Sequence, residues 1–163
     1  AEIERRVPQF TLITQNVDSL HQKAGNIAVI ELHGNISRIK CYEEDRIVDH
    51  WQEPDGDDHP RCPHCGGMLR PDVVWFGEML PAAALQQAIN ASRSADFFLT
   101  IGTSGIVQPA ASLPFEAIEN GAITVEINPS ETPLSAWMHH ALRGPSGVIL
   151  PALIAAAWPE FIV

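Results

Sequence analysis

Residues 94–102 read SADFFLTIG, an apolar run of Phe97, Phe98, Leu99, Thr100 and Ile101 that ends at Gly102. The run does not alternate, so both of its faces need cover, as in a strand inside a parallel sheet rather than one with a wet face. The same form recurs on either side: GAITVEIN at 121–128 and PQFTLITQ at 8–15 are apolar runs that end in polar residues. Helix-like segments lie between the later runs. Residues 81–93, PAAALQQAINASR, put Pro81 at a first helical position ahead of an alanine-rich repeat, and residues 109–120 form a second candidate stopped by Gly121. Both are expected to be crossover helices of an α/β fold with a parallel sheet. The chain holds no internal repeat and no low-complexity tract.

Composition narrows the function classes. With 163 residues, 45% of them hydrophobic and 18% charged, the chain suits one domain core with room for a small insert. A net charge of -10 disfavours a phosphate backbone, so nucleic acid is not expected as a partner, and it suits a basic partner such as a lysine-bearing peptide. Residues 1–25 do not read as a signal peptide, and no apolar run reaches membrane-span length. The expectation is a cytoplasmic protein with no membrane partner. Three cysteines, two of them spaced as Cys62-Pro63-His64-Cys65, read as a metal site in a reducing compartment rather than a disulfide framework.

Between Ser37 and Pro71 the character changes to YEEDRIVDHWQEPDGDDHPRCPHCGG, rich in charge, His, Pro and Gly. This reads as an inserted small module, giving a boundary reading of residues 1–36 and 74–163 for the main domain and 37–73 for the insert. The return at RPDVVWFGE, residues 70–78, suits a strand or a strand-like groove wall. In an open α/β sheet, ligands collect at the carboxyl ends of the strands. Three such ends stand out: Gln15-Asn16-Val17-Asp18, Gly102-Thr103-Ser104 and Asn128-Pro129. Each alone also fits a turn or a helix cap. Together they offer hydroxyl, amide and glycine contacts for ribose and phosphate, and a donor and acceptor for a carboxamide.

Six motifs then stand in order: TQNVDSLH (14–21), ELHGN (31–35), CPHCGG (62–67), RPDVVWFGE (70–78), IGTSG (101–105) and EINP (126–129). From about Pro8 onward this order resembles the sirtuins, the NAD-dependent protein-lysine deacylases, and RPDVVWFGE is most similar to the branch of bacterial sirtuins and the mitochondrial desuccinylase. The resemblance implies a partial Rossmann-type parallel sheet with an inserted zinc-ribbon-like module. It implies NAD as a consumed co-substrate and acylated lysine peptides as partners, with the acyl group passing to ADP-ribose and nicotinamide released. A non-catalytic remnant or binding module, and a protein ADP-ribosyltransferase, are the alternative readings.

Residue by residue, the resemblance makes His33 the catalytic base on the NAD ribose. It places Gln15, Asn16 and Asp18 in the nicotinamide and ribose pocket, and Gly102, Thr103 and Ser104 at phosphate and ribose. Asn128 falls at the adenine ribose and Ser146 beside the adenine. Val74, Trp75, Phe76, Gly77 and Glu78 match the substrate wall, where a peptide adds as a strand; the bland alternative is an ordinary buried strand. A structural zinc would be held by Cys41, Cys62 and Cys65. The family's fourth cysteine is Glu44 in the segment Cys41-Tyr42-Glu43-Glu44, so a carboxylate is the favoured fourth ligand. Asp45, His50, His59 and His64 are alternatives, as is a metal-free loop. Nothing in AEIERRVPQFTLITQN matches the family's leading strand and Gly-Ala-Gly diphosphate loop. The expectation is therefore an incomplete form, weak in NAD affinity and able to self-associate along an exposed sheet edge.

Overall fold

A computed structural model of the chain describes residues 1–54, 56 and 58–159. It contains two compact units, Ala1–Leu85 and Gln86–Val163. In the first, strand β1 (Leu12–Thr14) leads through a polar loop to helix α1 (Leu20–Lys23) and strand β2 (Val29–Glu31). β1 and β2 pair in parallel, with Leu12 opposite Val29 and Thr14 opposite Glu31. Strand β3 (Gly34–Cys41) follows after two residues and pairs antiparallel with β4 (Leu69–Val73).

The register of that pair slips between Asn35 and Ile39, so β3 bends in its middle. Its first residue tolerates no side chain: Gly34 has φ +77°, and a Cβ there would lie 2.1 Å from the Asp72 carbonyl oxygen. At the other end β3 and β4 carry the cysteine-bearing segment between them. Its core is small, with Cys41, Val48, Cys62 and Leu69 buried and Ile39 and Trp51 packed against them.

Helix α2 (Ala82–Arg93) agrees with the alanine-rich expectation, starting just after Pro81. In the second unit, β5 (Phe97–Ile101), β6 (Ile123–Asn128) and β7 (His140–Arg143) form a parallel sheet in that order. The expected helix over 109–120 is shorter and begins differently: a 3-10 turn, Ala110–Ser112, runs into α3 (Leu113–Glu119). Pro114 sits in the first turn of α3, where its missing N–H is not needed. Gly121, at φ +86°, ends the segment as read. α3 packs on β5 and β6, and a last helix, α4 (Ser146–Ala157), packs on β6.

β6 is the middle strand and is buried from Thr124 through Ile127. The two polar residues in that buried stretch are therefore partnered. Thr124 Oγ1 lies 2.9 Å from His139 Nδ1. Glu126 accepts from Thr132 Oγ1, from Ser135 Oγ at 2.5 Å and from Arg143 at 2.6 Å. Among the described residues no helix is long and apolar enough to cross a membrane.

Candidate active site

His33 lies in the two-residue link between β2 and β3. Its flanks are held from both sides: the Leu32 amide donates to Thr14 O at 3.0 Å, and Val74 N donates to His33 O at 3.0 Å. The ring is oriented by the loop after β1, with Nδ1 2.9 Å from Gln15 O. A carbonyl oxygen only accepts, so Nδ1 carries the hydrogen and Nε2 of the neutral ring keeps its lone pair. The arrangement thus offers a base at Nε2 with its tautomer fixed.

The neighbours of His33 are locked by a polar network. Glu31 accepts from Asn35 Nδ2 at 2.6 Å, Gln22 Nε2 at 2.7 Å and Arg38 at 2.6 Å. Asn35 Oδ1 in turn accepts from Ser19 Oγ and from the Ser37 amide, both at 2.9 Å. Burial works against the Glu31 charge, yet the bonds from Asn35 and Arg38 outweigh it and hold the carboxyl below its usual range. Of the predicted polar residues, Asn16 is exposed, and its amide N–H donates to Thr14 Oγ1 at 3.1 Å. Asp18 Oδ1 accepts from Leu20 N at 2.9 Å, an Asx-turn leading into α1.

Residues 74–78 do not continue β4, which stops at Val73, and they are not a buried strand. Trp75 is 53% exposed and Phe76 fully so. The segment is shaped from below: Glu78 accepts from the Trp75 amide at 2.9 Å and from both terminal nitrogens of Arg70, at 2.5 and 3.1 Å.

In the second unit the predicted strand ends are wired together. Gly102, at φ +62°, donates its N–H to Ile127 O at 2.9 Å. Asn128 Nδ2 donates to Thr103 O at 2.7 Å, and its Oδ1 accepts from Ser130 N at 3.3 Å. Gly144 N reaches Asn128 O at 3.3 Å, so the turn before Ser146, the first residue of α4, joins the same end of the sheet. Ser104 stands exposed beside Thr103.

The cysteine module brings Cys41, Glu44, Cys62 and Cys65 together with their ligand atoms all within 4.8 Å of one another. Cys41 Sγ and Cys65 Sγ are 3.4 Å apart, and Cys62 Sγ is 3.9 Å from Glu44 Oε2. A tetrahedron with zinc–sulfur bonds of about 2.3 Å has edges of roughly 3.7 Å, so the four donors fit the ion. Asp45, His50, His59 and His64 are not in the cluster. The thiols are unequal. Cys62 is lowered, first by the Cys65 backbone N–H; at Cys65 the Gly67 amide pulls downward, but the Cys41 thiol and burial push it up to about 11. All three cysteines are free.

A model of the Sir2 family matches residues 1–109. The chain belongs to the Sir2 family. An NAD-dependent protein deacylase of Aquifex aeolicus is 50% identical over 149 residues, which are 90% of this chain and 62% of that protein. A solved Sir2 homolog–NAD complex superposes with TM-score 0.90 at 42% identity, covering 98% of this chain and 62% of the other. A Sir2 bound to acetylated peptide gives TM-score 0.87 at 32% identity, covering 96% of this chain and 67% of that one. The chain thus spans less than two thirds of the length of the A. aeolicus relative.

This Sir2-family chain has the expected Rossmann-like α/β fold with a parallel sheet, and its Cys3Glu cluster can hold zinc. Sequence reading did not single out the side chains that contact or flank the candidate residues: Glu31, Asn35 and Arg38 around His33, Arg70 beneath Trp75, and Glu126 with Arg143 beside Asn128. The signal for Glu126 was present, as a charge inside an apolar strand run.

Proposed function

We propose that the protein is an NAD-dependent protein-lysine deacylase. The observation that carries this is His33: in a Sir2-family chain, its Nδ1–H is given to Gln15 O and its Nε2 is left as the base. Related Sir2 structures with NAD and with acetylated peptide support the same reading. In the proposed reaction the acyl oxygen of a modified lysine attacks the ribose carbon that bears nicotinamide, and nicotinamide leaves with the bonding pair. His33 Nε2 takes the proton of a ribose hydroxyl, and water completes release of the lysine amine. The products are nicotinamide, free lysine and O-acyl-ADP-ribose.

The remaining assignments are part of the proposal. Gln15, Asn16 and Asp18 serve nicotinamide and its ribose; Gly102, Thr103, Ser104, Asn128 and Ser146 serve the phosphates and the adenosine end. Residues 74–78 present backbone groups to an acyl-lysine peptide, which adds as a strand. Cys41, Cys62, Cys65 and Glu44 would hold a structural zinc, which ties the two ends of the module together. The three free thiols favour a cytoplasmic protein, and the net charge of -10 disfavours a nucleic-acid partner.

The test is product analysis with NAD and an acetyl-lysine peptide. The proposal expects nicotinamide release that depends on the acyl peptide, with the acyl group recovered on ADP-ribose. ADP-ribose retained on protein would replace deacylation by transfer, and no nicotinamide release would favour a binding module.

A further inference from the structure

Arg70 is only 8% exposed, yet it belongs neither to the cysteine cluster nor to the network around His33. It lies on β4 opposite Lys40 of β3, pointing its guanidinium under the turn that follows the strand. Three contacts are made at once. One terminal nitrogen donates to Glu78 Oε1 at 2.5 Å; the other donates to Glu78 Oε2 at 3.1 Å and to Val73 O at 2.6 Å. The guanidinium carbon sits 3.6 Å from the centroid of the Trp75 ring. Glu78 closes the loop by accepting from the Trp75 amide, and the Glu78 amide donates to Trp75 O at 3.0 Å. One planar side chain therefore fixes the backbone at Val73, Trp75 and Glu78 and the plane of an exposed indole.

We propose that Arg70 is the positioning residue of the acyl-peptide wall, presetting residues 74–78 for strand addition without touching the peptide. The proposal rests on the reading of those residues as the substrate wall. Its physical basis is preorganisation: exposed turn residues must give up backbone and side-chain freedom to bind an extended peptide, and the clasp removes that freedom in advance. The same clasp reaches the base, because Val74 N is bonded to His33 O. A lysine at this position keeps a point charge toward Glu78 but loses the fork and the flat stack. The depressed Glu78 carboxyl, held near 2 first of all by Arg70, accords with a closed pair.

The experiment measures acetyl-lysine peptide affinity together with the Trp75 indole NMR resonance, assigned by its loss in Trp75→Phe. Arg70→Met should weaken the peptide about tenfold, the scale of one strong charge-assisted hydrogen bond, and should move the Trp75 resonance. Turnover at saturating peptide should change much less than KM. Arg70→Lys should recover part of the affinity while leaving the resonance displaced. Should Arg70→Met fail to fold, Glu78→Gln, at an exposed residue, opens the same clasp with the same split. The double variant Arg70→Met, Glu78→Gln should be no weaker than Arg70→Met alone. Unchanged affinity in Arg70→Met and Glu78→Gln, or losses that multiply in the double variant, overturns the proposal. If the unsubstituted protein binds no acetyl-lysine peptide, the substrate-wall reading falls and this proposal with it.

Discussion

Glu78 is held near 2 against an ordinary 4.5, first by its bonds from Arg70 and then by the Trp75 amide. A carboxyl lowered on folding adds stability above its unfolded value, and that stability fades as pH falls through the window from 4.5 to about 2. The difference in unfolding midpoint between the parent and Glu78→Gln should therefore be largest above pH 4.5 and shrink below it; a difference that ignores pH would refute the pairing. Gly34 gives a second residue-scale expectation. At φ +77°, with Asp72 O 2.1 Å from any added Cβ, Gly34→Ala combines left-handed strain with a backbone clash. Strain alone is worth about 1–3 kcal/mol, so denaturant unfolding should show a loss of at least that size. Both His33 and Gly34 were legible in ELHGN, because the motif is local. Arg70 was not read as Trp75's support, since the contact depends on how the chain turns after Val73.

β5 and β6 were readable because each is a continuous apolar run, and β1 because its run ends in a polar loop. β2 is three residues long and β7 is His140–Arg143, with one partly buried leucine, so neither has a pattern to find. α4 is apolar all round and carries Pro151 inside, which hides its period. The segment 74–78 read as a strand or groove wall because β-branched and aromatic residues favour strands, yet β4 ends at Val73 and Trp75 and Phe76 stand exposed. The cysteine module was visible from its composition, and Glu44, favoured as fourth donor from its place in Cys41-Tyr42-Glu43-Glu44, joins the three cysteines in the fold. With so small a core, the module should fold with its metal. One zinc per chain is expected, and chelation should abolish amide protection around Cys41, Val48 and Leu69 while sparing β5–β7. Glu44→Ala should weaken retention by more than the roughly 10–100-fold typical of an outer-shell change. Stoichiometric zinc that survives Glu44→Ala unchanged would move the fourth ligand elsewhere.

For the molecule as a whole, the α/β fold with its parallel sheet was legible, and the strand-end glycine, amide and hydroxyl residues are proposed as the ligand site because an α/β sheet gathers its ligands there. His33, the proposed base, was legible only as a histidine in a motif; its tautomer came from Gln15 O, a main-chain atom that no side-chain pattern announces. The direct measurement is nicotinamide release driven by an acetyl-lysine peptide, compared between the parent protein and His33→Ala with folding checked by circular dichroism. Loss of a positioned proton acceptor should lower the rate by about 10²–10⁴-fold without altering the fold. Turnover close to the parent's in folded His33→Ala would contradict the assignment of His33 as the base.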